Sequence, residues 1–487
     1  DAHRHKQFLD LQNDVTVADV ELAAREGYRS VEHLKRYTTL GMGTDQGKLS
    51  NIAGLAVLAQ TIGAPIAQVG TTTFRPPYTP VTLGTIAGPE VGAQLDPIRH
   101  TAMDAWHVQH GAVFVNTGLW RRAQFYRHAG ESDLDAVNRE VRAVRSGVGL
   151  VDVSTLGKID LQGRDCAEFL HRVYINNFRS LAPGRCRYGV MLREDGMVFD
   201  DGTTTRLAEH HYLMTTTTAN AVRVMAHLEY LLQIEWPELE VYLTSVTEQW
   251  AAMALAGPKA RAVLKKVAGI DVSDADLPYM TYAERLIAGV PARVFRISFS
   301  GELSYEINVP ADYGQPVWQA LIAAGRDDGL VAYGTEAMGV MRIEKGHFVV
   351  GPEADGRTTP DDLGLARMIK KECDFIGRHA LARPGLSARD RRQLVGLVPV
   401  NPKDAIARGA MLVVSPRQAP PCPMAGFVAS TCYSPTVGSA IALALVERGR
   451  ARLGERLWAV APLVESSVEV KIVEPVFIDP AGERLRA

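Results

Sequence analysis

The chain has few cysteines and no marked excess of charge of either sign. Of its 487 residues only five are cysteines, and no two of them form a C-x-x-C pair. An odd, scattered set of thiols is typical of reduced, cytoplasmic proteins, although the sequence leaves a disulfide between Cys422 and Cys432 open. The 53 basic and 55 acidic residues nearly cancel, so the charge balance gives no reason to expect binding to nucleic acid or to an anionic membrane.

Long apolar runs and several common active-site motifs are also missing. No apolar stretch reaches the ~18 residues that a membrane-spanning helix needs. There is no G-x-S-x-G motif, no P-loop and no G-x-G-x-x-G motif after a strand, and the close histidine pairs lack metal-ligand spacing. We therefore expect no hydrolase nucleophile, no dinucleotide or NTP site and no metal centre in this chain.

The length and the local composition predict several domains. A chain of 487 residues, 46% of them hydrophobic, is long enough for about two to four domains. We expect a small helical domain at 1–62, a connector rich in Pro, Gly and Thr at 63–96, a mixed α/β region at 97–389, and a small C-terminal β-barrel or sandwich at 390–487. Because the chain starts at Asp1, without an initiating methionine, we also expect it to be a piece of a longer polypeptide.

Residues 187–206 form the most informative stretch, because an Asp-Gly pair at 195–196 lies between two runs of β-forming residues. This pattern predicts a β-hairpin. A two-residue loop would pair Val190 with Asp201 and place Tyr188 diagonally beside Asp201, whereas a four-residue loop would pair Tyr188 with Asp201 directly. Both registers predict one face shared by Tyr188, Val190, Leu192, Phe199 and Asp201.

Asp201 is thus expected on an otherwise apolar face, beside a phenol. A partly desolvated carboxylate has a shifted pKa and is a candidate for a functional role. The alternative is a solvated Asp-Asp-Gly sequence at the end of a strand. This stretch alone leaves both interpretations open, and it places Asp200 on the opposite face with a supporting role.

Two later segments contain further candidates. Residues 293–308 predict two strands around a Ser-Gly turn, with Glu306 in the second strand. The Glu306 carboxylate can accept two hydrogen bonds from a flat heterocycle with adjacent N–H groups, or it can form an ion pair with Arg296. The other segment predicts a turn followed by a helix, in which Met338 suits a core position and Arg342 can pair internally.

Taken in order, six blocks of the chain resemble the folate-binding aminomethyltransferase family, that of the glycine cleavage T-protein. The blocks are residues 145–154, Tyr188 with Asp200 and Asp201, residues 256–260, residues 300–306, residues 342–344 and residues 433–446. The resemblance covers about residues 97–487 and implies an α+β, multi-domain fold with a C-terminal β-barrel, preceded by a small helical domain. It also implies tetrahydrofolate as the cofactor, with Asp201 and Tyr188 as catalytic residues and with folate contacts from Glu306, Tyr305, Thr218 and Arg342.

Other details resemble one branch of this family, the α subunits of heterotetrameric sarcosine oxidases. These details are residues 215–220, residues 344–347 and the stretch at 10–16. The branch implies β, γ and δ subunits as partners, flavin (FAD and FMN) on or shared with a partner subunit, and NAD only in a preceding segment. It implies that the one-carbon unit of flavin-oxidised sarcosine is captured on tetrahydrofolate as 5,10-methylenetetrahydrofolate.

One departure from the family pattern and one absence of cysteines narrow this interpretation, and three alternatives stay open. Met338 stands where the T-protein has an arginine that serves its lipoyl-bearing substrate, which argues against a glycine cleavage role. The piece at 14–62 resembles a helical ferredoxin-associated domain but has no cysteine, so no iron–sulfur cluster is expected there. The alternatives are a glycine cleavage-type aminomethyltransferase, a dimethylglycine oxidase-type folate domain, and a non-catalytic scaffold for flavin subunits.

Overall fold

The computed structural model describes residues 6–269, 272–370, 373–416 and 422–487. The chain divides into two units, residues 1–97 and residues 98–487. All five cysteines are among the described residues, and none of them forms a disulfide. The cross-link between Cys422 and Cys432 that the sequence left open is therefore not formed.

The first unit is helical, as the sequence predicts. Its strands are β1 (Phe8–Asp10) and β2 (Val15–Thr16), and its helices are α1 (Val17–Arg25), α2 (Val31–Thr38), α3 (Asn51–Ile62), α4 (Ile66–Val69) and α5 (Leu83–Ala87). The Thr16 hydroxyl accepts from the Asp19 N–H and the Asp19 carboxylate accepts from the Thr16 N–H, so the start of α1 has a reciprocal cap. Val20, Leu34 and Leu58 are fully buried where the three longer helices meet.

The second unit mixes helices and strands, in agreement with the predicted α+β class. Its helices are α6 (Asp104–Gln109), α7 (Asp133–Ser146), α8 (Cys166–Val173), α9 (Ala221–Tyr230), α10 (Ala260–Ala268), α11 (Gly314–Ala324), α12 (Thr335–Glu344), α13 (Arg378–Leu381), α14 (Pro384–Ser387) and α15 (Glu483–Arg486). Its strands are β3 (Ala112–Thr117), β4 (Trp120–Tyr126), β5 (Gly149–Asp152), β6 (Gly157–Gln162), β7 (Cys186–Leu192), β8 (Val198–Ala208), β9 (His211–Thr216), β10 (Tyr242–Ser245), β11 (Trp250–Ala256), β12 (Tyr282–Ile287), β13 (Val290–Phe295), β14 (Ser304–Pro310), β15 (Val331–Ala332), β16 (Arg392–Pro399), β17 (Met411–Val413), β18 (Gly426–Ser434), β19 (Ser439–Glu447), β20 (Arg456–Ala461) and β21 (Ser466–Val473).

The described strands of this unit form two open sheets, a barrel and the β3–β4 pair. The five-stranded sheet has the order β10-β6-β9-β8-β7, and the six-stranded sheet has the order β12-β13-β14-β11-β5-β15. The last six strands, in the order β16-β19-β18-β17-β20-β21, form a closed barrel, so the sandwich alternative is wrong. Closure pairs both edges of every strand in the barrel, which removes open edges on which other chains could pair.

The inner faces of the two open sheets pack against each other. Helices α8 and α9 cover the outer face of the five-stranded sheet, and α10 and α11 cover the outer face of the six-stranded sheet. Between the sheets, Cys186 and Leu213 pack against Phe295. Polar side chains that point into this space are therefore shielded from bulk water by the opposite sheet.

A buried cluster of charges joins the helices of this unit to the barrel. Arg145, near the end of α7, donates to the Glu344 carboxylate at 2.6 and 2.8 Å and to the Glu302 carboxylate at 2.8 Å. The other oxygen of Glu344 accepts from the Ser434 hydroxyl of β18 at 2.6 Å, and Arg484 donates to Glu302 at 2.8 Å. Each buried carboxylate thus has a cationic partner, as burial of a charge requires.

Candidate functional site

The predicted hairpin is formed by β7 and β8, and Val190 pairs with Asp201 as a two-residue loop would require. The loop itself has three residues, 194–196, because the Arg193 N–H bonds to the carbonyl of Met197. Gly196 closes this loop with a φ of +85°, a backbone conformation that favours glycine. The Asp-Gly pair therefore predicted the turn. Of the two registers that it left open, the one that pairs Val190 with Asp201 is formed, although the loop has three residues.

The prediction that Phe199 shares the face of Asp201 is wrong. Phe199 forms a β-bulge, because Val198 pairs with Leu192 while Asp200 pairs with Met191. The bulge turns the Phe199 ring onto the helix-covered face, where it packs beside α9. The loop is one residue longer than a two-residue loop, and the bulge takes up one extra residue in β8. These two changes offset each other, so beyond the bulge the strands pair as they would after a two-residue loop.

Asp201 and Tyr188 contact each other on the inner face of the five-stranded sheet. The Tyr188 hydroxyl donates to Oδ2 of Asp201 at 2.8 Å, and both side chains are partly exposed. Burial, reinforced by the negative charge of Asp200, raises the pKa of Asp201 to about 7, while the bond from Tyr188 opposes this rise. Asp201 can therefore gain or lose a proton near neutral pH, as a general base must.

Asp200 lies on the opposite face and holds the chain that follows β9. It is fully buried, and its carboxylate accepts from the Thr217 hydroxyl at 2.6 Å, the Thr217 N–H at 3.1 Å and the Asn220 amide at 3.2 Å. Burial raises the pKa of Asp200 to about 6, although these hydrogen bonds favour its ionised form. Asp200 thus fixes local structure and adds negative charge behind Asp201.

Glu306 and Asn308 of β14 form the wall opposite the five-stranded sheet. They line a small cleft with Thr203 and Thr215. Both are buried, and the amide nitrogen and oxygen of Asn308 have no hydrogen-bond partner among the described residues. Burial raises the pKa of Glu306, and the positive charge of Lys158 and then the neighbouring Asn308 amide, which lies close to the carboxylate without a hydrogen bond of ordinary geometry, oppose that rise. A buried carboxylate beside an unpartnered amide fits a flat ligand that has several N–H and C=O groups.

The ion pair between Glu306 and Arg296 that the sequence left open is not formed. Arg296 instead donates to the Asp274 carboxylate at 2.8 Å. Tyr305, one of the predicted folate contacts, has its ring in the core beneath α10 and α11, and its hydroxyl accepts from Arg261 at 3.1 Å. Because successive residues of a strand point to opposite faces, Tyr305 and Glu306 do not share a site.

Thr218 and Arg342, the other predicted folate contacts, have partners within the protein. The Thr218 hydroxyl lies 3.1 Å from the Thr155 hydroxyl, in a helical turn that follows β9. Arg342 is buried, and it donates to Glu353 at 3.1 Å and to the Ser430 hydroxyl at 2.6 Å. Arg342 therefore joins α12 to the barrel, which is the internal pairing that the sequence left as the alternative.

Lys158 is a residue of this region that the sequence did not indicate. In β6 the apolar residues Ile159 and Leu161 alternate with polar ones, a pattern that assigns Lys158 to a solvent-exposed face. The six-stranded sheet covers that face, and Lys158 is fully buried. A lysine between a glycine and an apolar strand residue carries no local signal of this burial.

Gly202 lies next to Asp201 at a point where β8 and β9 leave no room for a side chain. A Cβ atom there would collide with the main-chain carbonyl of Thr215. We expect Gly202→Ala to lower the free energy of unfolding by about 1–3 kcal/mol, because the strands must separate. Gly339→Ala in α12 is the matched control: no atom lies within 4 Å of its added Cβ, so no loss is expected. Urea denaturation measures both, and equal stability of the two variants would contradict this prediction.

Metal sites and membrane-spanning helices are not found in the part of the chain that the structure describes. No group of three or more His, Cys, Asp and Glu side chains there is arranged to hold a metal ion. No described helix combines the length and the apolar character needed to cross a bilayer.

Comparisons with known families place this geometry in context. The family model of the GCVT N-terminal domain matches residues 103–373, more than half of the chain. The chain belongs to the glycine cleavage T-protein family. The model of the glycine cleavage T-protein C-terminal barrel domain matches residues 392–479, the closed barrel. The model of the sarcosine oxidase A3 domain matches residues 4–89.

Individual proteins are also similar in sequence to this chain. An aminomethyltransferase of Streptomyces coelicolor is 32% identical over 73% of this chain and 91% of that protein. Sarcosine oxidase subunit alpha of Rhizobium meliloti (strain 1021) is 49% identical over 99% of this chain and 49% of that protein. The corresponding subunit of Corynebacterium sp. (strain U-96) is 46% identical over 99% of this chain and 50% of that protein. The chain thus spans about half the length of these two alpha subunits.

A solved structure shows the same T-protein fold. The crystal structure of glycine cleavage system aminomethyltransferase T from Bartonella henselae matches with a TM-score of 0.67 at 24% identity, and it covers 79% of this chain and 99% of that one. The predicted fold, with mixed α/β region and C-terminal barrel, is therefore confirmed.

Proposed function

We propose that this chain performs the tetrahydrofolate-dependent step of a sarcosine oxidase. The one-carbon unit of flavin-oxidised sarcosine would be captured on tetrahydrofolate to give 5,10-methylenetetrahydrofolate. The bond from this carbon to the amine nitrogen of sarcosine would break, and the rest of the molecule would leave as glycine. The observation that carries this proposal is the Asp201 carboxylate, which faces the inner space of the sheets, accepts from Tyr188 at 2.8 Å and has a pKa near 7. A partly buried carboxylate poised in this way suits proton transfer at neutral pH.

The donor and acceptor groups of the cleft suit a pterin ring, for which the cleft, with a volume of about 10 Å³, would have to widen. The pterin ring of a folate offers an amino group and a ring N–H side by side, and the Glu306 carboxylate has two oxygens to accept them. Asn308, whose amide has no partner among the described residues, would take a further donor and acceptor of the ring. We therefore assign pterin binding to Glu306 and Asn308. Tyr305 and Arg342 are left out of the site, because their polar groups are engaged elsewhere.

In the proposed reaction the ligand provides the nucleophile and the protein provides the base. Tetrahydrofolate supplies the nucleophilic nitrogen when it is bound. Asp201 accepts the proton that this nitrogen loses, and its negative charge stabilises the positive charge that develops before the proton leaves. The Tyr188 hydroxyl keeps Asp201 in one orientation. A positioned base of this kind accelerates a reaction by ~10²–10⁴-fold.

The sarcosine oxidase assignment is supported by two observations and by one feature that the family resemblance implies. The A3 domain match covers residues 4–89, the two alpha subunits match almost the whole chain, and Met338 packs in an apolar core cluster where the T-protein has an arginine. We accordingly propose β, γ and δ subunits as partners, flavin (FAD and FMN) on a partner subunit, and NAD on a segment that this chain does not include. A cytoplasmic setting is proposed from the absence of disulfides among the five cysteines.

Titration with folinic acid tests the proposal. We expect the chain to bind this reduced folate, as measured by calorimetry, and to co-purify with flavin-bearing subunits when they are produced together. A scaffold would co-purify without binding folinic acid. A glycine cleavage enzyme would bind it without recruiting flavin subunits, so each outcome excludes a different alternative.

Replacing Glu306 tests its role as the pterin reader. Glu306→Gln keeps the size of the side chain but replaces one acceptor oxygen with a donor amide. We expect folinic acid to bind about 10–100-fold more weakly, since a hydrogen bond to a charged group is worth about 1.5–3 kcal/mol. Glu284→Gln, on the exposed edge of the same sheet, is the control and should bind as the unmodified protein does. Unchanged affinity in Glu306→Gln would exclude Glu306 as a contact.

A further inference from the structure

A fully buried lysine side chain lies beside the cleft. The Nζ of Lys158 donates to the carbonyl of Ser154 at 2.9 Å and to that of Leu156 at 3.1 Å, both in the turn between β5 and β6. Described residues thus account for two of the three N–H bonds of the ammonium group. A buried ammonium is costly unless its charge is compensated. The two carbonyls supply only partial charges, so a carboxylate must complete the compensation.

Two carboxylates act on this ammonium group: Glu306 has the larger effect and Asp152 the smaller. Lys158 pairs with Thr215 across β6 and β9, so both side chains lie on the inner face of the sheet. Thr215 lines the cleft together with Glu306 and Asn308. Lys158 and Glu306 therefore belong to the two facing sheets, and each is within range of the other's charge although these two residues form no direct ion pair. Their charges act mutually: burial lowers the pKa of Lys158 to about 8, and Glu306 and then Asp152 oppose that fall.

We propose that Lys158 is a positioning residue of the folate site, whose ammonium group keeps the Glu306 carboxylate ionised so that pterin binding is insensitive to pH across the neutral range. This inference rests on the proposed role of Glu306. The physical reason is that an ionised carboxylate offers two acceptor oxygens to adjacent N–H groups, whereas a protonated one carries a donor and can no longer accept both. Burial alone would favour the protonated form.

Other titratable groups near Glu306 have to be separated from this effect. Cys186 of β7 is influenced by the charge of Glu306, and Asp201 of β8 titrates on the same inner face. The strands that flank β14 place only Ala254 and Phe295 directly beside Glu306. Any pH dependence that remains after Glu306→Gln belongs to these other groups, so the difference between backgrounds isolates Glu306.

The test is calorimetric titration with folinic acid between about pH 6 and about pH 9, for the unmodified chain, Lys158→Met, Glu306→Gln and the double variant. For Lys158→Met we expect weak binding at low pH that strengthens by up to about tenfold per pH unit until Glu306 ionises. The unmodified chain should change little over the same range. In the Glu306→Gln background, Lys158→Met should have no further effect, because Lys158 acts through Glu306.

Each result has one meaning. A pH profile of Lys158→Met that matches the unmodified chain would overturn the inference while leaving the proposed function intact. So would an equal loss of affinity on adding Lys158→Met to Glu306→Gln, since that indicates a purely structural role. If the unmodified chain binds no folinic acid, the proposed function fails first.

A second measurement does not depend on whether Lys158→Met folds. Infrared difference spectra of the unmodified chain minus Glu306→Gln report the Glu306 carboxyl group directly. We expect carboxylate bands and no protonated-carboxyl C=O band from Glu306 at neutral pH. A protonated band there would overturn the inference.

Discussion

Replacing Asp201 with asparagine is expected to slow formation of 5,10-methylenetetrahydrofolate by about 10²–10⁴-fold while folinic acid still binds. The asparagine keeps an oxygen to accept from Tyr188, so the geometry of the site is preserved, but it can neither take a proton nor carry the negative charge. The step should be measured in the assembled complex, with sarcosine and tetrahydrofolate supplied and the folate product quantified by chromatography. Sarcosine consumption by the flavin subunits reports separately that the complex is intact.

The pH profile of this reaction adds an independent signature. The pKa of Asp201 is raised to about 7 by burial and by Asp200. Below that pH the carboxylate is protonated and cannot act as a base, so the rate of the unmodified enzyme should fall as the pH drops through about 7. The residual activity of Asp201→Asn should lack this decline.

The matched control for Asp201 lies in the same hairpin. Glu194→Gln removes an exposed carboxylate from the loop between β7 and β8 and should leave the rate unchanged. Full turnover in Asp201→Asn would show that Asp201 is not the base. Loss of folinic acid binding in that variant would instead assign Asp201 to ligand binding.

The largest expected effect on stability comes from Arg145. Arg145→Leu leaves the Glu344 carboxylate fully buried, with the Ser434 hydroxyl as its remaining side-chain partner among the described residues, and leaves Glu302 with Arg484. Removing one partner of a buried ion pair costs about 3–5 kcal/mol, because the other charge stays buried without compensation. We therefore expect a large drop in the urea midpoint of unfolding, measured by circular dichroism.

Two further variants separate this mechanism from simple loss of packing. Arg450→Leu breaks an ion pair with Asp361 whose side chains are 39% and 58% exposed, and it should cost only about 0–1 kcal/mol. Adding Glu344→Gln to Arg145→Leu removes the uncompensated charge and should restore part of the lost stability. If the double variant is no more stable than Arg145→Leu, the buried charge is not the cause.

The hairpin shows which structural features could be predicted from the local sequence. The Asp-Gly turn and the alternation of residues left two registers open and placed Tyr188 and Asp201 on one face in both. The structure has the register in which Val190 pairs with Asp201, and Tyr188 lies beside Asp201. Local rules failed at Phe199, because a bulge changes which face a residue occupies without a signature that single-strand alternation contains. Val190 still pairs with Asp201 only because the longer loop and the bulge offset each other.

Glu306 and its neighbours show which side-chain partners the sequence could not predict. Alternation along β14 separates Tyr305 from Glu306, and this period-two rule could have excluded Tyr305 from the sequence alone. By contrast, it depends on the elements packed against them whether Arg296 pairs with Glu306 or with another carboxylate, and whether Arg342 binds a ligand or an internal carboxylate. Both guanidinium groups found internal partners, Asp274 and Glu353.

The sequence by itself determined that residues 187–206 form a hairpin with Tyr188 and Asp201 on one face, and it determined the helical first unit, the α+β class and the family of this chain. These features depend on local turn chemistry, periodicity and ordered motifs. Only the tertiary structure decided that Asp201 and Glu306 belong to facing sheets and that Lys158 is buried between those sheets. The physical reason is that burial is set by the layer that covers a strand. The sequence of β6 predicts a solvent-exposed lysine, but the six-stranded sheet covers this face and buries Lys158.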